Sequence, residues 1–331
     1  MRCGCSHSKG AGRIGNIHAR NIAAHSGVHL AGVADVDTAA ASRLAQACGA
    51  RALTLDEAFA ADAVLIGSPT PTHAGYIERA AAAGRAIFCE KPIDLAVERV
   101  RACLDAVRRA GVALMVGFNR RFDPHFATLK RRLDAGEIGN LELLTIISRD
   151  PAPPPPGYVA SSGGLFRDMM IHDLDMARFL LGEEPVAVHA AASCLVDASI
   201  GAVGDVDTAV ATLRTAGGRL CQISNSRRAS YGYDQRIEAH GATGLLRAGN
   251  VTATTVELAT ASGFATDPVL PFFLERYADA YRAELAAFVE AVESGHPPQP
   301  DGVDGLKALL LADAATQSAQ TGEAVKVDLD A

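Results

Sequence analysis

Four short apolar runs, VHLAGVAD (28–35), DAVLIG (62–67), AIFC (86–89) and ALMVGF (113–118), alternate with helical stretches such as THAGYIERAAAAG and LAVERVRACLDAVRRAG. This alternation constrains the fold more than any other feature. Short, continuously apolar runs suit strands covered on both faces, and strands separated by helices pair in parallel. Each of the two helical stretches closes on a glycine, in the expected C-terminal place. The pattern predicts βαβ units around a parallel sheet from Gly12 to about Phe118.

Beyond Phe118 the grammar changes. Segments 141–149 (LELLTIISR), 186–195, 205–214, 219–227 and 233–240 follow one another with little helix between them, and Thr215 to Gly218 reads as a hairpin turn. A mainly antiparallel sheet is expected, interrupted by one helix near 165–181 and closed by two more, roughly 272–293 and 304–320. At 331 residues the chain exceeds one typical core. The fold class is therefore α/β: a Rossmann domain over 1–118, then an α/β domain with an open, mainly antiparallel sheet over 119–331. The run Pro151 to Pro156 reads as a stiff extended spacer.

Gly10, Gly12 and Gly15 form a G-x-G-x-x-G loop, which by itself is weak evidence of dinucleotide binding. It gains support from Asp35, twenty residues on at the end of VHLAGVAD, where a carboxylate can accept hydrogen bonds from both ribose hydroxyls. A 2′-phosphate would be repelled there, so NAD is favoured over NADP. Gly10, Gly12, Arg13 and Ile14 would hold the dinucleotide, with Arg13 at the pyrophosphate; the bland alternative is a tight turn with a chance downstream Asp.

The strand that should feed this loop is not evident. Residues 2–9 read Arg-Cys-Gly-Cys-Ser-His-Ser-Lys, where a doubly covered strand calls for continuous apolar character. Each large side chain missing from that position forfeits about 1.5–3 kcal/mol of burial. The segment can still pair as a strand, since backbone hydrogen bonds do not depend on side chains. The alternative expectation is that the first nine residues are not the natural start.

The net charge of −7, with basic residues scattered singly or in pairs, argues against a nucleic-acid partner. No apolar run reaches the roughly 18 residues of a membrane helix, and the N-terminus has no hydrophobic segment to serve as a secretion signal, so no membrane partner and a cytoplasmic location are expected. Seven cysteines fit reduced thiols better than a disulfide framework. Cys3, Cys5 and His7 lack the paired spacing of a structural zinc site.

GSPTPTHAGYIERAAAAGRAIFCEKP, then GFNRR, then DMMIHDLD resemble the Gfo/Idh/MocA oxidoreductases in order and spacing, and the likeness extends through SRRASYGYDQRIEAHG and FFLERYADAYRAELAAFVEAV. The resemblance implies that the second domain's open sheet makes subunit contacts, commonly in homotetramers. It implies that Ser68, Pro69, Thr70 and His73 border the nicotinamide half of the cofactor, and that Glu90 and Lys91 sit beside the nicotinamide ribose. The activity implied is NAD-dependent oxidation of one ring hydroxyl of an inositol. Oxidation of a pyranose sugar, or cofactor binding without turnover, are the alternatives.

Oxidising a secondary alcohol requires a base for the hydroxyl proton and a cation to hold developing negative charge on oxygen. His172 is the candidate base, with Asp168 four residues earlier on the same helix face to orient it; a surface ion pair or a helix cap would explain the same spacing. Lys91 follows the strand AIFC at the carboxyl edge of the sheet and is restricted by Pro92; the family resemblance makes it catalytic, where an ordinary solvated lysine is the alternative. Arg121, Asp150, Tyr231, Tyr233 and Arg236 can supply hydrogen bonds to a polyol, or equally serve salt bridges and sheet packing. Asp168, His172, Asp173 and Asp175 can also be read as a metal site, but hydride transfer to a nicotinamide needs none, and no metal is expected.

Overall fold

The computed structural model describes residues 2–6 and 12–330. The chain divides into two compact units, Met1–Phe122 with Ala280–Leu309, and Asp123–Asp279 with Leu310–Ala331. This differs from the single boundary expected at 118/119. Residues 280–309 return to the first unit because Leu285, Phe288 and Val289 join its apolar core beside Phe88 and Met115.

In the first unit, β1 (Arg2–Ser6), β2 (His29–Ala34), β3 (Arg51–Leu53), β4 (Ala63–Ile66), β5 (Ala86–Glu90) and β6 (Leu114–Gly117) form a parallel sheet in the order β3-β2-β1-β4-β5-β6. The connecting helices are α1 (Arg13–Ala24), α2 (Thr38–Ala47), α3 (Leu55–Ala58), α4 (His73–Ala82) and α5 (Val97–Ala110). All four residues of β4 are buried, as its unbroken AVLI requires of a strand packed on both faces. Local signals set the helix limits. Asp37 caps α2 through the Ala40 N–H at 2.9 Å, Thr54 and Glu57 form a reciprocal capping box on α3, and Gly111 ends α5 at φ 65°.

The segment whose side chains advertise no strand is the central one. β1 pairs in parallel with β2 (Cys3↔Leu30, Cys5↔Val33) and with β4 (Cys3↔Ala63, Cys5↔Leu65). Two strongly apolar neighbours flank it, and its backbone N–H and C=O groups complete both ladders whatever the side chains. Gly10, Lys9 and His7 lie outside the described residues.

In the second unit the strands are β7 (Leu141–Arg149), β8 (Pro185–Ser193), β9 (Thr208–Thr215), β10 (Leu220–Ser226), β11 (Asp234–Gly241), β12 (Gly244–Ala248), β13 (Glu257–Thr260), β14 (Gly263–Thr266) and β15 (Val325–Lys326). The helices are α6 (Pro124–Asp134), α7 (Pro156–Ser162), α8 (Ile171–Leu181), α9 (Ala198–Ala202), α10 (Phe273–Arg276), α11 (Ala278–Ser294) and α12 (Gly302–Thr321), with most of α11 and the start of α12 belonging to the first unit. The main sheet runs β12-β11-β7-β10-β9-β8-β15 and is antiparallel except at β7–β10. The expected hairpin between β9 and β10 is present, turning through Gly218 at φ 92°. One face of the sheet buries Leu144, Ile146, Leu213 and Ile223, while Leu143, Val210, Leu220 and Leu245 are exposed. The helix expected over 165–181 opens with a π-helical turn, Phe166–Met170, before α8. The five cysteines with described side chains, Cys48, Cys89, Cys103, Cys194 and Cys221, are free thiols.

Candidate functional site: a dinucleotide edge and a histidine helix

In a parallel sheet every carboxyl end lies on one edge, and the crevice forms where the strand order reverses, here between β1 and β4. Asp35 directly follows β2, Ser68 follows β4 by two residues, and Glu90 is the last residue of β5. Helix α1 starts at Arg13, behind Gly12 in extended conformation, with no side-chain cap and no acidic residue in its first turn. Its leading N–H groups and the positive end of its dipole therefore suit a pyrophosphate. Gly12 and Arg13 are exposed and Ile14 is half-buried. Asp35 is 6% exposed, and its Oδ1 accepts the Asp37 N–H at 2.7 Å, which fixes the carboxylate at the sheet edge where a ribose diol is read. The described residues thus fit a dinucleotide.

Two buried histidines attach to the turn that carries Lys91. His73, 1% exposed, places Nε2 2.6 Å from the Ser68 carbonyl and Nδ1 2.7 Å from the Pro92 carbonyl, linking the Ser68-Pro69-Thr70 loop to the residue after Lys91. Burial pushes the His73 imidazole below its ordinary range, against the two carbonyls and Glu90, which favour the cation. A neutral ring can donate to one of these carbonyls at a time. Ser68 Oγ is 2.6 Å from Thr72 Oγ1, Pro69 is exposed and Thr70 begins a short 3₁₀ turn. The Glu90 carboxylate is 2.6 Å from His18 Nε2, Lys91 is half-buried, and the Lys91–Pro92 peptide is cis. Arg121 pairs with Asp304 at 3.0 and 3.3 Å.

The second unit carries Asp168 in the π-helical turn and His172, half-buried, in α8. The Asp168 carboxylate accepts the Tyr158 hydroxyl at 2.7 Å and lies 3.4–3.5 Å from the buried Arg227 guanidinium. Burial and then the Asp168 carboxylate hold the Tyr158 phenol above its ordinary range; with 49% of the residue exposed, the carboxylate is the cause the geometry supports. Asp173, fully buried, receives Asn225 Nδ2 at 2.8 Å. Among the described residues no group of three or more His, Cys, Asp or Glu side chains is arranged to hold a metal ion.

The remaining sequence candidates are dispersed around Asp234. This fully buried carboxylate accepts Tyr231 Oη at 2.6 Å, Arg236 Nε at 2.7 Å and Asn250 Nδ2 at 2.8 Å. Burial raises its pKa, but these hydrogen bonds prevail and hold it below the ordinary carboxylate range. Tyr231 and Arg236 are thus already engaged. Tyr233 is buried in an aromatic group with Phe272 and Tyr277, and Asp150 is half-buried, its N–H donated to the Ser226 carbonyl at 3.0 Å. Tyr158, Arg227 and His18 were not singled out from sequence. Arg227 lies in the stretch SRRASYGYDQR, but nothing local distinguishes a buried arginine from a solvated one.

A family model described as an oxidoreductase family NAD-binding Rossmann fold matches residues 9–118, and one described as the GFO/IDH/MocA C-terminal domain matches residues 126–247. The chain is 54% identical over 312 residues to an inositol 2-dehydrogenase of Rhizobium meliloti (strain 1021), spanning 93% of this chain and 94% of that protein. It is similar to a solved myo-inositol dehydrogenase from Corynebacterium glutamicum at TM-score 0.95 and 48% identity, covering 99% of each chain. A scyllo-inositol dehydrogenase from Lactobacillus casei, solved with bound NAD(H) and scyllo-inositol, matches at TM-score 0.88 and 29% identity, covering 98% of each.

Proposed function

This chain belongs to the Gfo/Idh/MocA oxidoreductases, and we propose that it oxidises a ring hydroxyl of myo-inositol, or of a close stereoisomer, to the ketone with NAD. The observation that carries this reading is a likeness to inositol dehydrogenases that covers 93% and 99% of the chain and so spans both units. NAD supplies the hydride acceptor. His172 takes the hydroxyl proton, and Asp168, anchored by Tyr158 and Arg227, orients the ring and stabilises its protonated form. Lys91 donates to the substrate oxygen and offsets the negative charge that develops there. Asp35 reads the adenosine ribose, and the α1 N-terminus holds the pyrophosphate.

A panel of inositols and pyranoses assayed by NADH absorbance tests the reading. Reduction of NAD with an inositol, and poor turnover of pyranoses, is the expected result; turnover confined to pyranoses or absent throughout defeats it. His172→Ala is expected to lower turnover on the order of 10²- to 10⁴-fold while NAD binding, measured by calorimetry, stays near wild type. We also propose a homotetramer with subunit contacts through the open sheet face that bears Leu143 and Leu220.

A further inference from the structure

His18 is buried to 1% exposure in α1, edge-on against Phe88 (ring centroids 5.2 Å apart) and Tyr281 (5.5 Å). Among the described residues its Nδ1 has no hydrogen-bond partner, and its Nε2 meets only Glu90 Oε1, at 2.6 Å. Burying an imidazole with one nitrogen unsatisfied costs about 1–3 kcal/mol, which an apolar residue here would avoid. The contact with Glu90 is the one polar return for that cost. The sheet leaves room for it: Gly117 lies opposite Glu90 in register, and a Cβ there would stand 2.9 Å from Glu90 Oε2. Glu284 of α11 is fully buried nearby with neither oxygen hydrogen-bonded among the described residues. Burial, and then Glu90, push its carboxyl well above the ordinary range, so it keeps its proton and adds no second anion.

We propose that His18 is a positioning residue for Lys91: through Glu90 it ties α1, the helix opened by the glycine loop, to the turn that presents the lysine. His73 holds the other side of the same turn through the Pro92 carbonyl. The inference rests on the proposed role of Lys91. Displacing Glu90 moves the backbone from which Lys91 projects, and an error of an ångström in a catalytic group is costly in rate without removing a binding contact.

His18→Phe keeps a ring of similar shape and removes the donor; His18→Gln restores a donor at the place of Nε2. The expected result is a kcat lowered on the order of 10- to 100-fold in His18→Phe, with NAD affinity by calorimetry near wild type and most of the loss recovered in His18→Gln. Wild-type turnover in His18→Phe, or equal impairment in His18→Gln, overturns the proposal. Should His18→Phe fail to fold, Gly117→Ala displaces Glu90 without touching the histidine and is expected to show the same split; normal turnover in that variant is equally fatal. Lys91→Ala separates the two readings. If it keeps turnover, both fail; if it is inactive while His18→Phe is unimpaired, only the role of His18 fails.

Discussion

Glu284 illustrates how one residue writes itself into the pH dependence of the whole. Its carboxyl is raised above the ordinary 4.5 by burial and by Glu90, so the folded state binds a proton that the unfolded state releases. The stability it contributes is complete below 4.5 and is lost as pH rises toward the folded value, by up to about 1.4 kcal/mol per pH unit. Glu284→Gln mimics the neutral acid, so its melting temperature should rise relative to wild type progressively above pH 4.5. A difference that does not change with pH would show that Glu284 is ionised in the fold. His73 has the opposite sense: its lowered imidazole contributes stability above 6.5 that is lost on acidification. The place of Asp35 at a strand end was legible in the sequence because it closes the apolar run VHLAGVAD. The partnership of Glu284 with Glu90 was not, because it joins two residues distant in the chain.

At the scale of elements, periodicity was a sound guide wherever burial was one-sided or complete. β7 spans the expected 141–149, and the four apolar runs became β2, β4, β5 and β6. Elements too short or too exposed to carry a period escaped it: β13 and β14 are exposed at every residue, and β15 has two residues. β1 is the opposite case, a central strand by backbone pairing with little apolar content. Restoring that content should therefore stabilise the first unit. The double substitution Cys3→Val with Cys5→Ile is expected to raise the melting temperature by several degrees, read by circular dichroism. No rise would mean that the flanking strands already supply all that this position can gain.

At the scale of the whole molecule, one face of the second unit's main sheet carries exposed large apolar side chains. Leu143 and Leu220 are register partners on β7 and β10, 39% and 41% exposed, with Val210 and Leu245 also exposed on their strands. Exposed apolar side chains on a sheet face suit contact with another copy of the chain, as the proposed homotetramer requires. Replacing Leu143 and Leu220 together by Asp is expected to lower the oligomer mass measured by light scattering; an unchanged mass would reject contact through this face. Among the described residues no helix is long and apolar enough to cross a membrane.

The sequence by itself determined the two parts of this protein's plan, parallel βαβ units followed by a mainly antiparallel sheet, and the class of cofactor the first part takes, NAD. These are properties of spacing, and spacing is local. Only the tertiary structure decided which side chains meet: that His18 reaches Glu90 across 72 positions, that Tyr158 and Arg227 secure Asp168, that Asp234 engages Tyr231 and Arg236, and that residues 280–309 complete the first core. Strand order and packing bring such groups together, and neither is encoded in any short stretch of chain.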